Sequence, residues 1–170
     1  MKSVASLFLL FATAAFAQGT TDYKLNGGQI HFHVPPQWTA IMQKADGNPQ
    51  AIAFQVPDPT AQASGEAADV TVKTRQLNNA AEFTGVIQDE LARAKAQAGY
   101  ADDPANKDAS IHQYFVTRAK TRYQVRDKLF MIGSIAVHVR CQRPLLQATP
   151  EAWNAQFDSA CDGVVASLKE

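Results

Sequence analysis

Little in this chain is in excess, and several things are scarce. Only two cysteines occur in 170 residues, which excludes a disulfide-dense mini-scaffold. There is no C-x-x-C, so a thioredoxin-like redox centre is not expected. No apolar run reaches the roughly 20 residues that a membrane-spanning helix needs. Gly133-Ser134 lacks the rest of a G-x-S-x-G nucleophile elbow. The only paired glycines, Gly27-Gly28, follow Asn26 and belong to a turn rather than a phosphate loop. There is no H-E-x-x-H zinc motif. Net charge is also missing: 16 basic residues face 16 acidic ones. A dedicated nucleic-acid binder is normally basic, so no nucleic-acid partner is expected. What remains, 46% hydrophobic and 19% charged, is the composition of a globular domain.

The first residues form a recognisable unit. Met1-Lys2-Ser3 precedes an apolar run over residues 4–16, which closes with Ala15-Phe16-Ala17 before Gln18. A basic start, a short apolar stretch and an A-x-A end are the parts of a secretory signal peptide. Residues 1–17 are therefore expected to be removed near Ala17-Gln18, leaving 18–170 as a single domain in the periplasm or secreted. Loss of Lys2 leaves 15 bases against 16 acids, a net charge of −1. Gln18 is not a cysteine, so no lipid anchor to a membrane is expected.

Alternation and punctuation then predict the elements. Tyr23-Lys24-Leu25 and residues 29–34 flank Asn26-Gly27-Gly28, a strong hairpin signal, with Ile30, Phe32 and Val34 on one face. Pro35-Pro36 ends that strand. Short strands follow at 38–42 and 51–56, separated by the turn Asp46-Gly47-Asn48-Pro49; 57–66 is a loop, and 70–77 is another strand. Asn79 with Glu82 signals a helix start, and Phe83, Ile87, Leu91 and Ala94 form its predicted apolar stripe. Residues 101–110 are a polar loop. Residues 111–140 read as two or three antiparallel strands, with a turn expected at Arg126-Asp127-Lys128 and another irregularity near Gly133. Thr149-Pro150 predicts a capped helix start. Trp153, Phe157, Ala160, Cys161, Val164 and Leu168 make its apolar stripe. Strands, helix, strands, helix is the order of an α+β domain, an antiparallel sheet with two main helices packed on it.

Three sets of side chains are candidates for function. Cys141 continues the apolar odd series Ile135, Val137, Val139, while Cys161 lies on the last helix's apolar stripe. Helix stripe and sheet face pack together, so a Cys141–Cys161 disulfide is expected in an oxidising compartment. His31 and His33 share a strand face, and His138 lies on the polar face of a later strand; they are weak metal candidates, and no metal or cofactor is expected. Asp89-Glu90 are neighbours on a helix, do not face each other, and are expected to be solvated. The zero net charge hides an asymmetry: from Arg118 to Arg143 seven bases face one acid, leaving −7 for the rest of the mature chain. Arg118, Lys120, Arg122, Arg126 and Lys128 are all even-numbered and would share one face where the chain is extended, and Arg140 joins His138 on its own strand. These six bases are the candidate docking surface for a partner with an acidic surface.

The segment Phe32-His33-Val34-Pro35-Pro36-Gln37-Trp38 resembles the strand, V-P, x-x-W entry of PsbP/DcrB-like α/β proteins. The closing strand Val137 to Cys141, a proline, a loop and the final helix resemble the end of that fold. The resemblance implies a curved antiparallel sheet flanked by helices and a partner-binding or accessory role without a cofactor. It carries no catalytic residue. An exported, non-enzymatic protein that binds another protein, as an accessory factor or an immunity or chaperone-type partner, is therefore the expectation. The alternatives are a small metal-dependent or hydrolytic enzyme using His31 and His33, or a carrier of a small apolar ligand held between sheet and helix.

Overall fold

The structure, a computed structural model, describes residues 19–60 and 65–168. The expected signal peptide, residues 1–17, and part of the expected loop at 57–66 lie outside the described residues. The elements run β1 (Thr21–Leu25), β2 (Ile30–Val34), β3 (Thr39–Lys44), β4 (Gln50–Val56), β5 (Ala68–Gln76), α1 (Glu82–Lys95), β6 (Ala101–Asp102), β7 (His112–Arg118), β8 (Thr121–Ile132), β9 (Ile135–Pro144) and α2 (Glu151–Ser167). Seven strands form one curved antiparallel sheet in the order β3-β4-β5-β9-β8-β7-β6, and β1-β2 is a separate hairpin. This is the expected α+β domain, a sheet with one helix against each face.

Period-two alternation decides which face each helix meets. The even residues of β4 and β5 (Ile52, Phe54, Val56, Ala68, Val70, Val72) and the odd residues of β9 (Ile135, Val137, Val139, Cys141) are buried on one face. The hairpin residues Leu25, Ile30, Phe32 and Val34 cover it together with Phe157, Cys161, Val164 and Leu168 of α2. Trp38 and Phe54 add aromatic contact, with centroids 6.3 Å apart. The hairpin turn lies across β5: the Thr74 hydroxyl donates to Asn26 Oδ1 at 2.6 Å, and the Asn26 N–H donates to Gln50 Oε1 at 2.7 Å. Asn26, Gly27 and Gly28 all have positive φ (53°, 62° and 91°), which explains the residue choice at this turn.

The opposite face is covered by α1. There Tyr114, Val116, Tyr123 and Val125 pack around Ala94, and Leu77 and Ala136 pack around Val86. The small Ala94 lets the helix approach the tyrosines closely. After the helix, Gly99 (φ +67°) passes so near β7 that a Cβ there would stand 2.3 Å from Thr117 Oγ1. A side chain is excluded at that position by contact as well as by conformation.

The element pattern departs from expectation in six places. Asn79 does not cap α1, which follows Ala81 without a side-chain cap, and residues 101–102 of the expected loop form β6. The reversal expected at Arg126-Asp127-Lys128 occurs instead at Ala119-Lys120, and residues 126–128 lie in the middle of β8. A run of charges looks like a turn only when its partners are invisible; here β9 supplies them. The stripe of α1 is rotated: Val86, Glu90 and Ala94 are buried, while Ile87 is 40% exposed. Glu90 turns inward because the sheet beneath it is cationic. The Thr149 side chain does not cap α2 but shares a 2.7 Å hydrogen bond with the Thr60 hydroxyl, and Pro150 precedes the first helical residue. The strand expected at 38–42 starts one residue later and runs to Lys44 as an exposed sheet edge.

Cys141 and Cys161 form the expected disulfide, with Cα atoms 6.3 Å apart, tying the central strand to α2. It closes a loop of 20 residues. Replacing both cysteines with alanine, or reducing the bridge, is expected to lower stability by about 3 kcal/mol in the chain-entropy view. A denaturant midpoint measured with and without reductant checks this.

Candidate functional site

The six predicted docking bases do not share a face. Paired residues across a sheet point to the same side, and the β7–β8 register sets Gln113, Phe115 and Thr117 opposite Arg126, Gln124 and Arg122. Arg122, Arg126 and Lys128 therefore lie on the α2 face, whereas Arg118 lies on the α1 face with Tyr114 and Val116, and Arg140 is on that face too. Arg126 is bound to α2, reaching Asp162 Oδ1 at 2.9 Å and the Asp158 carbonyl at 3.3 Å. Lys128 donates to the Ser110 hydroxyl at 2.9 Å. Arg140 is a half-buried partner of Asp127.

Three of the six do come together, at the tip of the β7–β8 hairpin. Arg118, Lys120 and Arg122 are all exposed there. The guanidinium of Arg118 stands 5.3 Å from the Tyr123 ring centroid and that of Arg122 stands 4.0 Å from that of Phe115, one on each side of the hairpin. Rings under the guanidinium planes restrict their rotamers without neutralising them. The two turn residues between, Ala119 and Lys120, have φ of 44° and 76°. Most two-residue turns of this hand use Asn-Gly, so a β-methyl and a lysine here carry strain.

A second cluster, missed at the sequence level, lies between α1 and the sheet. Asp127 (2% exposed) accepts from Arg140 Nε at 2.7 Å and Nη2 at 2.8 Å, and from the Tyr114 hydroxyl at 3.0 Å. His138 is 6% exposed, with Nε2 3.0 Å from Asp127 Oδ1 and Nδ1 3.6 Å from Glu90 Oε2. The first contact is short enough for an ion pair, but its alignment is not that of a hydrogen bond. Glu90 Oε1 accepts from Lys73 and, at 3.1 Å, from Arg93. So Glu90, expected to be solvated, sits among Lys73, Arg93, His138 and Arg140. Burial pushes both carboxyls up. For Asp127, the Arg140 guanidinium and the His138 imidazole outweigh burial and hold it far below the usual range. For Glu90, Lys73, His138 and Arg93 outweigh burial and hold it below 4.5. The strand register that assembles this cluster, Lys73 opposite His138 and Asp127 opposite Arg140, is a long-range property. The only local sign was the polar odd series Asp69, Thr71, Lys73, Arg75 on β5.

The histidines are separated. His31 is exposed on β2, and His33 Nδ1 lies 2.6 Å from Asp22 Oδ1 in an exposed pair. His138 is on the other side of the sheet, under α1. Two cavities adjoin these groups. One of about 730 Å³ runs between β2 and α2, lined by His33, Val34, Pro35, Ala155, Ser159 and Gly163 among others. The other, about 250 Å³, opens between α1 and the end of β5.

No protein-family model matches the chain, and no curated protein does. Among solved structures, a Bacteroides thetaiotaomicron protein is 16% identical over 88% of this chain, with a TM-score of 0.53; the chain spans 47% of that protein's length. The Ran-binding protein Mog1p of Saccharomyces cerevisiae is 14% identical, covers 91% of this chain and 93% of its own, and has a TM-score of 0.47. LpqN of Mycobacterium tuberculosis, involved in cell envelope biogenesis, is 9% identical over 89% of this chain and 83% of its own, also at 0.47. At such identity the first likeness is one of fold alone. No helix among the described residues is long and apolar enough to cross a membrane.

Asp127→Asn is expected to cost about 3–5 kcal/mol, because the two-bond ion pair with Arg140 beneath α1 is lost and Arg140 keeps only Glu90, 3.9 Å away, as a counter-charge. Both carboxyls have depressed values in the folded state. Their contribution is thus complete above the unfolded values of 3.8 and 4.5 and is lost as pH falls below them. Urea midpoints measured from pH 6 down to about 2 should fall steeply for the wild type and less for Asp127→Asn. At the hairpin tip, Ala119→Asn should raise stability by roughly 0.5–1 kcal/mol, since asparagine tolerates positive φ. An unchanged or lowered melting temperature would contradict the strain assigned there.

Proposed function

We propose that this chain is an exported, non-enzymatic protein that binds a protein partner with an acidic surface, and that the β7–β8 tip makes the contact. The observation that carries the reading is the set of three exposed cations, Arg118, Lys120 and Arg122, displayed on a strained turn. Strain that stability alone would remove is kept where a surface is used. Two of the three cations are pre-positioned on aromatic rings, which lowers the entropy lost on binding. The other predicted bases stay with the fold: Arg126, Lys128 and Arg140 are engaged internally.

The leader-like residues 1–17, with cleavage near Ala17-Gln18, support export, and the Cys141–Cys161 bridge is compatible with an oxidising compartment. The resemblance of residues 32–38 and of the closing strand and helix to PsbP/DcrB-like proteins supports an accessory, immunity or chaperone-type role. A second reading is favoured by the groove between β2 and α2. Its size, about 730 Å³, suits a small apolar ligand, as expected of a carrier. Native mass spectrometry of the purified protein would reveal such a ligand as added mass.

The docking reading is tested by the triple variant Arg118→Glu, Lys120→Glu, Arg122→Glu. An acidic protein captured by the wild type should bind the variant at least about tenfold more slowly, and its association with the wild type should weaken with salt. Equal capture by both proteins, at low and high salt alike, would exclude the tip as the contact.

A further inference from the structure

The cavity between α1 and β5 lies at the opposite end of the sheet from the hairpin tip. Arg75, opposite Ala136 on β9, is at the far end of β5, while the tip precedes the start of β8. Arg75 on β5 and Asp89 on α1 line the cavity from opposite sides. Both are exposed, and neither forms an ion pair or hydrogen bond with another described residue. Two opposite charges therefore face one cavity without meeting.

The floor adds a third group. Glu90 is 6% exposed, and its Oε1 is already filled by Lys73 and Arg93. Its Oε2 accepts no hydrogen bond among the described residues: His138 Nδ1 stands off at 3.6 Å and Arg140 Nη2 at 3.9 Å. That oxygen is not closed off from solvent, so it can accept from water or from a ligand's donor. The small apolar residues Pro49, Val86 and Ala136 also line the cavity, together with Asn48, Thr74 and His138. The volume of about 250 Å³ holds roughly eight waters, or a solute with a similar number of heavy atoms.

We infer that this cavity is a binding site for a small zwitterion, a free α-amino acid with a short aliphatic side chain. The carboxylate pairs with Arg75, with Arg93 beside it at the mouth. The ammonium bridges Asp89 and Glu90 Oε2. The side chain packs on Val86, Ala136 and Pro49. A plain anion would face Asp89 and Glu90, and a plain cation would face Arg75, Lys73 and Arg93; a solute carrying both signs meets neither conflict. The inference rests on this cavity alone and stands or falls independently of the docking role.

The test is calorimetric titration and thermal shift of the mature protein with L-alanine, L-valine and L-leucine at millimolar concentration. N-acetyl-L-alanine, which lacks the ammonium, and L-alaninamide, which lacks the carboxylate, serve as contrasts. At least one amino acid should bind and raise the melting temperature, and both blocked forms should fail to do so. Arg75→Ala and Asp89→Asn, both at exposed positions outside the buried ion pairs, should keep the wild-type urea midpoint. Each should weaken binding about tenfold or more, the ordinary cost of a lost charge-assisted contact. No binding by any of the three amino acids, which would leave only water in the cavity, would overturn the inference. So would equal binding of the blocked forms, or undiminished binding in both variants.

Discussion

Strand β9 is the part on which everything else leans, because its two faces carry two different chemistries. Its odd residues from Ile135 to Cys141 are apolar, and Cys141 is joined to α2. Its even residues include His138 and Arg140, which meet Asp127 and Glu90 beneath α1. One strand is thus held on one side by a covalent bond within an apolar layer and on the other by ion pairs within a polar layer. The helices differ accordingly. α2 is seated by Phe157, Cys161, Val164 and Leu168, whereas α1 buries only Val86 and Ala94 around a glutamate.

That difference has consequences for how the molecule responds to its surroundings. Apolar burial responds little to pH, so apart from the pairs of Arg126 and Arg143 with Asp158 and Asp162 the hairpin and α2 half of the domain depends mainly on temperature, denaturant and redox state. The α1 half depends on charge. Buried ion pairs rarely exceed apolar packing in stability, and removal of one partner is costly. A polar seat is therefore an expensive way to hold a helix. Here Glu90, Asp89 and Arg75 line one cavity. The two halves also divide the basic residues that looked uniform in the sequence. Those near the middle of β8 and β9 are engaged within the fold, Arg140 with buried Asp127, Arg126 with Asp162 and Lys128 with Ser110, and those at the β7–β8 tip are exposed.

Legibility followed the range of the interaction. The β1–β2 hairpin was readable because Asn26-Gly27-Gly28 encodes positive φ within three residues. The stripe of α2 was readable because six apolar residues repeat at helical spacing. The disulfide was readable because each cysteine sat in a locally defined apolar series. The stripe of α1 was not, since Phe83, Ile87, Leu91, Ala94 and Val86, Glu90, Ala94 are both helical series. The choice between them depends on what the sheet offers. Likewise Arg126-Asp127-Lys128 looked like a turn because nothing local shows that Arg140 will stand opposite Asp127. The common face expected for Arg118 and Arg122 failed at the turn, where Ala119 and Lys120 leave the extended conformation and reverse the parity.

By itself the sequence determined the α+β class, the apolar face of the strand that carries Cys141, the cysteine pairing, the apolar face of the last helix and the excess of bases between residues 118 and 143. All of these follow from period-two or period-3.6 repetition and from composition, which are local. Tertiary structure alone decided which bases are free and which are consumed, that Glu90 points inward, that His138 lies apart from His31 and His33, and where the cavities open. These depend on strand order and register, which bring residues as distant as Lys73, Glu90, Asp127 and His138 into one small volume. Charge is additive along a chain, but its effect depends on separation in space, and only the fold sets that distance.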